Sequence, residues 1–143
     1  MKILAVAVGF CLIAADIRAR PPHGVATPDA WWFRSLTQPN GEPCCAESAD
    51  GEPDCHRLDD NMVRAAGNHW EFLASRGLFG EQIGDDRWHA IPNEVLIRGR
   101  KLAQLGGNVV GRWVVCAMDA YPNGRERGLS GMLVLCAVPP SGV

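Results

Sequence analysis

The chain is short of recognisable catalytic signatures. It has no G-x-S-x-G nucleophile turn, no H-E-x-x-H zinc motif, no C-x-x-C redox pair and no N-x-[ST] acceptor. "LGGNVVGR" (105–112) is glycine-rich, yet it lacks the lysine–serine or lysine–threonine ending of a phosphate loop. "DGEPD" lacks the D-x-[DN]-x-[DN]-G order of a calcium-binding EF-hand loop, so the acidic stretch reads as a solvated loop. Lysine is nearly missing: beyond residue 19 only Lys101 remains. Without Lys2, Asp16 and Arg18, twelve basic side chains face fifteen acidic ones, a formal charge of −3. That balance offers no basic face to a nucleic acid. Internal repeats and low-complexity tracts are also absent, and no apolar run reaches the ~20 residues of a membrane span.

The N-terminus carries a positive start at Met1-Lys2 and a thirteen-residue apolar run from Ile3 to Ala15. Ala19 follows as a small residue before a cut. This is the layout of a secretory signal peptide. Three segments are expected: a signal peptide at 1–19, a Pro/Gly-rich arm with a short helix at 20–43, and one domain at 44–143. The exported chain would be periplasmic or secreted, with no integral membrane segment after cleavage.

Within the arm, "TPDAWWFRSL" has Thr27 at an N-cap position and Pro28 at the first helical position. Residues 44–62 read as an irregular, cross-linked loop. "HWEFLAS" (69–75) and "RWHAIPNEVLI" (87–97) read as strands, the second ending or bulging at Pro92. "RGLFGEQIGDD" between them reads as a long hairpin loop, and "RKLAQL" (100–105) as a brief helical turn. "GRWVVCAM" (111–118) and "GMLVLCAV" (131–138) are nearly unbroken apolar runs, the pattern of strands buried on both faces. Asn123-Gly124 between them is a strong hairpin signal. The expected fold is mainly β: a small antiparallel sheet or partly closed barrel of four to six strands with a short N-terminal helix, stabilised by disulfides.

Five cysteines remain after cleavage: Cys44, Cys45, Cys55, Cys116 and Cys136. In an oxidising compartment disulfides are their default use, and five sulfurs allow at most two bridges. Cys116 and Cys136 fall about opposite each other if the two apolar runs form a hairpin, which predicts one bridge. Closing that loop of about 20 residues would contribute roughly 3 kcal/mol. The second bridge is predicted locally, from Cys55 to Cys45, with Cys44 as the alternative to Cys45. A competing arrangement sends one of the adjacent pair to Cys116 or Cys136. The leftover thiol is expected to be buried and to behave as a small hydrophobe.

Cys44, Cys45, Cys55 and His56 also make a soft four-ligand set for Zn(II) or Cu(I), against which stands the absence of C-x₂₋₄-C spacing. His69 and His89 lie on predicted strands that a hairpin would bring side by side, and His89 with Glu94 or Asp86 can be drawn as an acid–base pair. No nucleophile accompanies them, so no catalytic residue is predicted. Trp31, Trp32, Trp70, Trp88 and Trp113 are read mainly as packing residues, with sugar stacking as the other use.

With these residues in view, the chain resembles a group of uncharacterised small secreted alphaproteobacterial proteins. The shared pattern runs through Trp32-Phe33, Gln38-Pro39, Cys44-Cys45, Asp54-Cys55, Trp88, Ile91-Pro92 and Val95-Leu96. It continues through Gly111-Arg112, Val114-Val115-Cys116, Cys136 and Pro139-Pro140. It covers nearly the whole chain after residue 19. The segment between Cys45 and Cys55, containing "ADGEPD", and the loop "DAYPNGRERGLSG" are longer here. The resemblance implies no ligand and no catalytic residue.

These features point to an exported, non-catalytic binding or accessory protein of the cell envelope, or an inhibitor of an external enzyme, whose partner is an envelope protein or polymer. The alternatives are a small envelope hydrolase acting on a cell-wall polymer and a periplasmic metal-binding protein. No cofactor is expected.

Overall fold

The computed structural model describes residues 30–45, 55–120 and 131–143. The expected signal segment, the expected helix start at Thr27-Pro28, "ADGEPD" and the expected turn at Asn123-Gly124 lie outside the described residues. Among the described residues six strands form two antiparallel three-stranded sheets, and neither closes into a barrel. The strands are β1 (Cys55–Leu58), β2 (Val63–Ala66), β3 (His69–Leu73), β4 (Trp88–Ile91), β5 (Trp113–Asp119) and β6 (Met132–Val138). Three short α-helices accompany them among the described residues, α1 (Ala30–Ser35), α2 (Arg76–Ile83) and α3 (Gly99–Gln104). None of the described helices is long and apolar enough to cross a membrane.

The sheet ordered β1-β5-β6 is the middle layer, because the apolar runs of β5 and β6 need cover on both sides. Alternate residues point to opposite faces. Val114, Cys116, Cys136 and Val138 meet Trp32, Phe33, Leu36 and Cys44 of the arm. Trp113, Val115, Ala117 and Ala137 meet Phe72, Ile91 and Phe79 of the β2-β3-β4 sheet and α2. Between Cys116 and Ala117 the β5–β6 register slips from Cys136 to Val134, leaving Leu135 as an extra residue. This bulge lets Leu135 and Cys136 both join the arm-side core.

The arm is therefore part of the core. Trp32 and Leu36 are wholly buried, and each large buried side chain contributes about 1.5–3 kcal/mol. Polar contacts fix its position. The Trp32 indole donates to the Gly107 carbonyl (2.8 Å) and the Lys101 ammonium to the Thr37 carbonyl (2.8 Å). "TQPNGEP" folds back on itself, with Thr37 bridging Pro43 and the Gln38 N–H donating to the Glu42 carbonyl (2.7 Å).

Two stretches differ from the sequence expectation. Part of the presumed irregular loop is ordered as β1, an edge strand whose register pairs Cys55 with Cys116 and Leu58 with Trp113. A four-residue strand with Arg57 and His56 at its centre has too little apolar alternation to be recognised alone. The presumed hairpin loop "RGLFGEQIGDD" contains α2, two helical turns joined at Gly80, which has φ +77°. Its three nearby glycines mask a helix that exists because Phe79, Leu78 and Ile83 bury themselves against the second core. By contrast, β4 stops at Pro92 and α3 occupies the place of the brief helical turn, as the sequence implies.

Candidate functional site

Sheet order places three cysteines in one row. Cys55 pairs with Cys116 across β1 and β5, and Cys116 pairs with Cys136 across β5 and β6. The arm brings Cys44 and Cys45 over this row. Adjacent residues in extended chain point apart, and here they reach different ends of it. Cys44 is bonded to Cys136, with Cα atoms 5.7 Å apart and a sequence separation of 92. The expected hairpin register thus forms, but without a Cys116–Cys136 bridge. The reason is that Cys136 has two neighbours in space, and the sequence shows only the one across the hairpin.

The other three sulfurs of the described residues form a cluster. Cys45 and Cys55 are within bonding contact, with Cα atoms 6.0 Å apart, and so are Cys55 and Cys116, with Cα atoms 3.8 Å apart. The outer sulfurs, of Cys45 and Cys116, lie 3.9 Å from each other. A sulfur makes one disulfide bond, so the two contacts of Cys55 are alternatives. Cys55 and Cys116 are buried, while Cys45 is half-buried.

All three sulfurs lie within 4.8 Å of one another, close enough for a soft metal ion to share them as thiolates. The ligand set drawn from sequence is not assembled. Cys44 is taken by Cys136, and His56 follows Cys55 on a strand, so it faces the other core with its ring 4.5 Å from Phe79. Cys116 enters the group instead, from 61 residues away.

The two histidines do not converge. His89 pairs with Phe72 across β3 and β4, and His69 lies three residues before Phe72, so the two imidazoles occupy opposite faces of their sheet. Each has its own carboxylate. His89 Nε2 is 2.9 Å from Asp85 Oδ1, rather than beside Asp86 or Glu94. Burial opposes ionisation of Asp85, but the bonds from His89 and the Arg87 N–H outweigh it and hold the carboxyl below its usual value. On the other face His69 Nε2 is 3.6 Å from Glu71 Oε1. Glu71 also receives Arg64 at 2.7 Å, and that hydrogen bond lowers its carboxyl's affinity for a proton. Arg64 in turn covers the Trp88 ring at 4.1 Å.

Asp85 escaped the sequence reading because Asp86 is adjacent and equally acidic. Asp86 adopts a left-handed backbone, φ +59°, which turns the two carboxylates in different directions. Asp86 accepts the Arg76 N–H (2.9 Å), leaving Asp85 for the histidine. Asn108 was also missed. Buried inside the glycine-rich loop, it donates to the Arg112 and Pro139 carbonyls (both 2.8 Å) and accepts from the Val110 and Gly111 N–H groups. That loop is a structural knot tied by Asn108.

An open polar depression of about 460 Å³ is lined by Asp59, Asp60, Asn61, Gly111 and Arg112. Arg112 is paired with Asp59 across it. Of the tryptophans, Trp32 and Trp113 are core residues, Trp70 packs 5.1 Å from Trp113, and Trp31 is 58% exposed. No family model, curated protein or solved structure matches the chain.

Proposed function

We propose that the chain is an exported binding protein of the cell envelope, acting as an accessory factor or inhibitor with a protein or cell-wall polymer as its partner. The observation that carries this reading is Trp31. It projects from α1 into solvent, while the next two residues, Trp32 and Phe33, anchor the same helix in the core. An indole presented on a rigid support loses little entropy on contact, which is why tryptophan is enriched among residues that dominate binding. The arm carrying it is fixed by the buried Cys44–Cys136 bond, a construction suited to an oxidising compartment.

Purified protein immobilised and exposed to periplasmic extract and to isolated cell wall should retain a specific partner. Trp31→Ala should weaken that retention by about tenfold or more, as loss of a central indole does, with an unchanged near-UV circular dichroism spectrum. Absence of any retained protein or polymer, or hydrolysis of the cell wall by wild type and not by His89→Ala, would overturn the proposal in favour of an envelope hydrolase.

A further inference from the structure

We propose that Cys45, Cys55 and Cys116 form a thiol–disulfide exchange centre, in which one disulfide at Cys55 moves between Cys45 and Cys116 and presents or hides a thiol toward an external disulfide. The count of sulfurs requires a remainder. Of the five cysteines that remain once the expected signal segment with Cys11 is removed, Cys44 is bonded to Cys136, and three are left for one bond. Cys55 lies in bonding contact with both others, and those two stand 3.9 Å apart. Attacking, central and leaving sulfurs of an exchange reaction are therefore already together.

In one direction the Cys45 thiolate attacks the sulfur of Cys55. The Cys45–Cys55 bond forms, the Cys55–Cys116 bond breaks, and Cys116 leaves as a thiolate that takes up a proton. The centre neither gains nor loses electrons. The two states differ in what they show outside. With the bond on Cys116, the thiol belongs to half-buried Cys45; with the bond on Cys45, it belongs to fully buried Cys116. Only the first state meets an external disulfide. There the Cys45 thiolate attacks one sulfur, a mixed disulfide forms at Cys45, and the other half departs as a thiolate.

The adjacent pair Cys44-Cys45 gains a purpose in this arrangement. Cys44 locks the arm to β6, and so holds Cys45 over the β1–β5 pair without taking part in the exchange. The β1–β5 register supplies the other two sulfurs from directly opposed positions.

Tryptic mapping after acid-quenched alkylation tests this on the wild-type chain purified without reductant. Cleavage at Arg112 and Arg125 isolates Cys116 on residues 113–125, while Cys44, Cys45 and Cys55 share residues 35–57. At pH 8 the 113–125 peptide should occur in two states, alkylated at Cys116 and cross-linked to 35–57. Interconversion should slow about tenfold per pH unit below the ordinary thiol pKa of ~8.5. Added glutathione disulfide should place a single adduct on Cys45 and drive 113–125 into the cross-linked state. Cys116→Ser should abolish the adduct, because Cys45 then stays bonded to Cys55. One fixed bridge pattern at every pH with no adduct overturns the inference, and so does a native mass showing three thiols around a zinc or copper ion. These readouts are independent of whether a binding partner is found.

Discussion

Asp85 and Asp86 show how one backbone angle sorts two identical side chains. The left-handed turn at Asp86 sends its carboxylate to Arg76 and leaves Asp85 hydrogen-bonded with His89, partly open to solvent. Because the native Asp85 carboxyl lies below its ordinary value near ~3.9, the folded state binds that proton less readily than the unfolded chain. The resulting stability is fully present above the ordinary value and disappears as pH falls through the lowered one. Asp85→Asn is expected to cost about 0.5–1 kcal/mol at pH 6, the screened range for a half-exposed pair. The difference from wild type should shrink as pH falls below the ordinary carboxyl range, as followed by urea denaturation across pH. Asn108 is a different case, since its amide is buried and fully used. Asn108→Ala leaves the Pro139 carbonyl without its donor in the interior and should cost about 1–3 kcal/mol in the same assay, with little pH dependence.

At the scale of elements, legibility in the sequence followed the length of the apolar signal. β5 and β6 were visible because seven-residue runs with β-branched side chains have few other homes, and β4 was bounded by Pro92. β1 was invisible because its identity comes from pairing with β5, a partner 60 residues away, and not from its own pattern. α2 was hidden by glycines, and one of these is required by contact. A Cβ on Gly84 would stand 2.6 Å from the Arg76 Cα and 2.7 Å from its nitrogen, both backbone atoms. Gly84→Ala is therefore expected to cost about 1–3 kcal/mol through displacement of the helix start. Gly67 makes a useful contrast. It begins the two-residue β2–β3 turn with φ +65° and open space where a Cβ would go. Alanine there meets only the left-handed backbone penalty of about 1–2 kcal/mol. Urea denaturation gives both losses, and hydrogen exchange at 76–79 should rise for Gly84→Ala alone.

For the whole molecule, the site was half legible: the sequence announced that cysteines staple the fold, but not that the arm supplies two of them to a row spanning three strands. That row decides how the parts depend on one another. The arm is held by the burial of Trp32, Phe33 and Leu36 and by one covalent link. The Cys44–Cys136 bond closes a loop of over 90 residues, worth about 4–5 kcal/mol in the chain-entropy model. The second core uses no cysteine, since Phe72, Phe79, Ile91 and Trp113 assemble it from both sheets. Reduction should therefore uncouple the layers in order. The arm is expected to loosen first, shifting Trp32 emission to the red and removing hydrogen-exchange protection over 32–44. Protection in β3 and β5 should persist to higher urea. Cys44→Ala should reproduce the loss over the arm without reductant. Simultaneous loss of protection in the arm and β3 would show that the two cores fold as one unit.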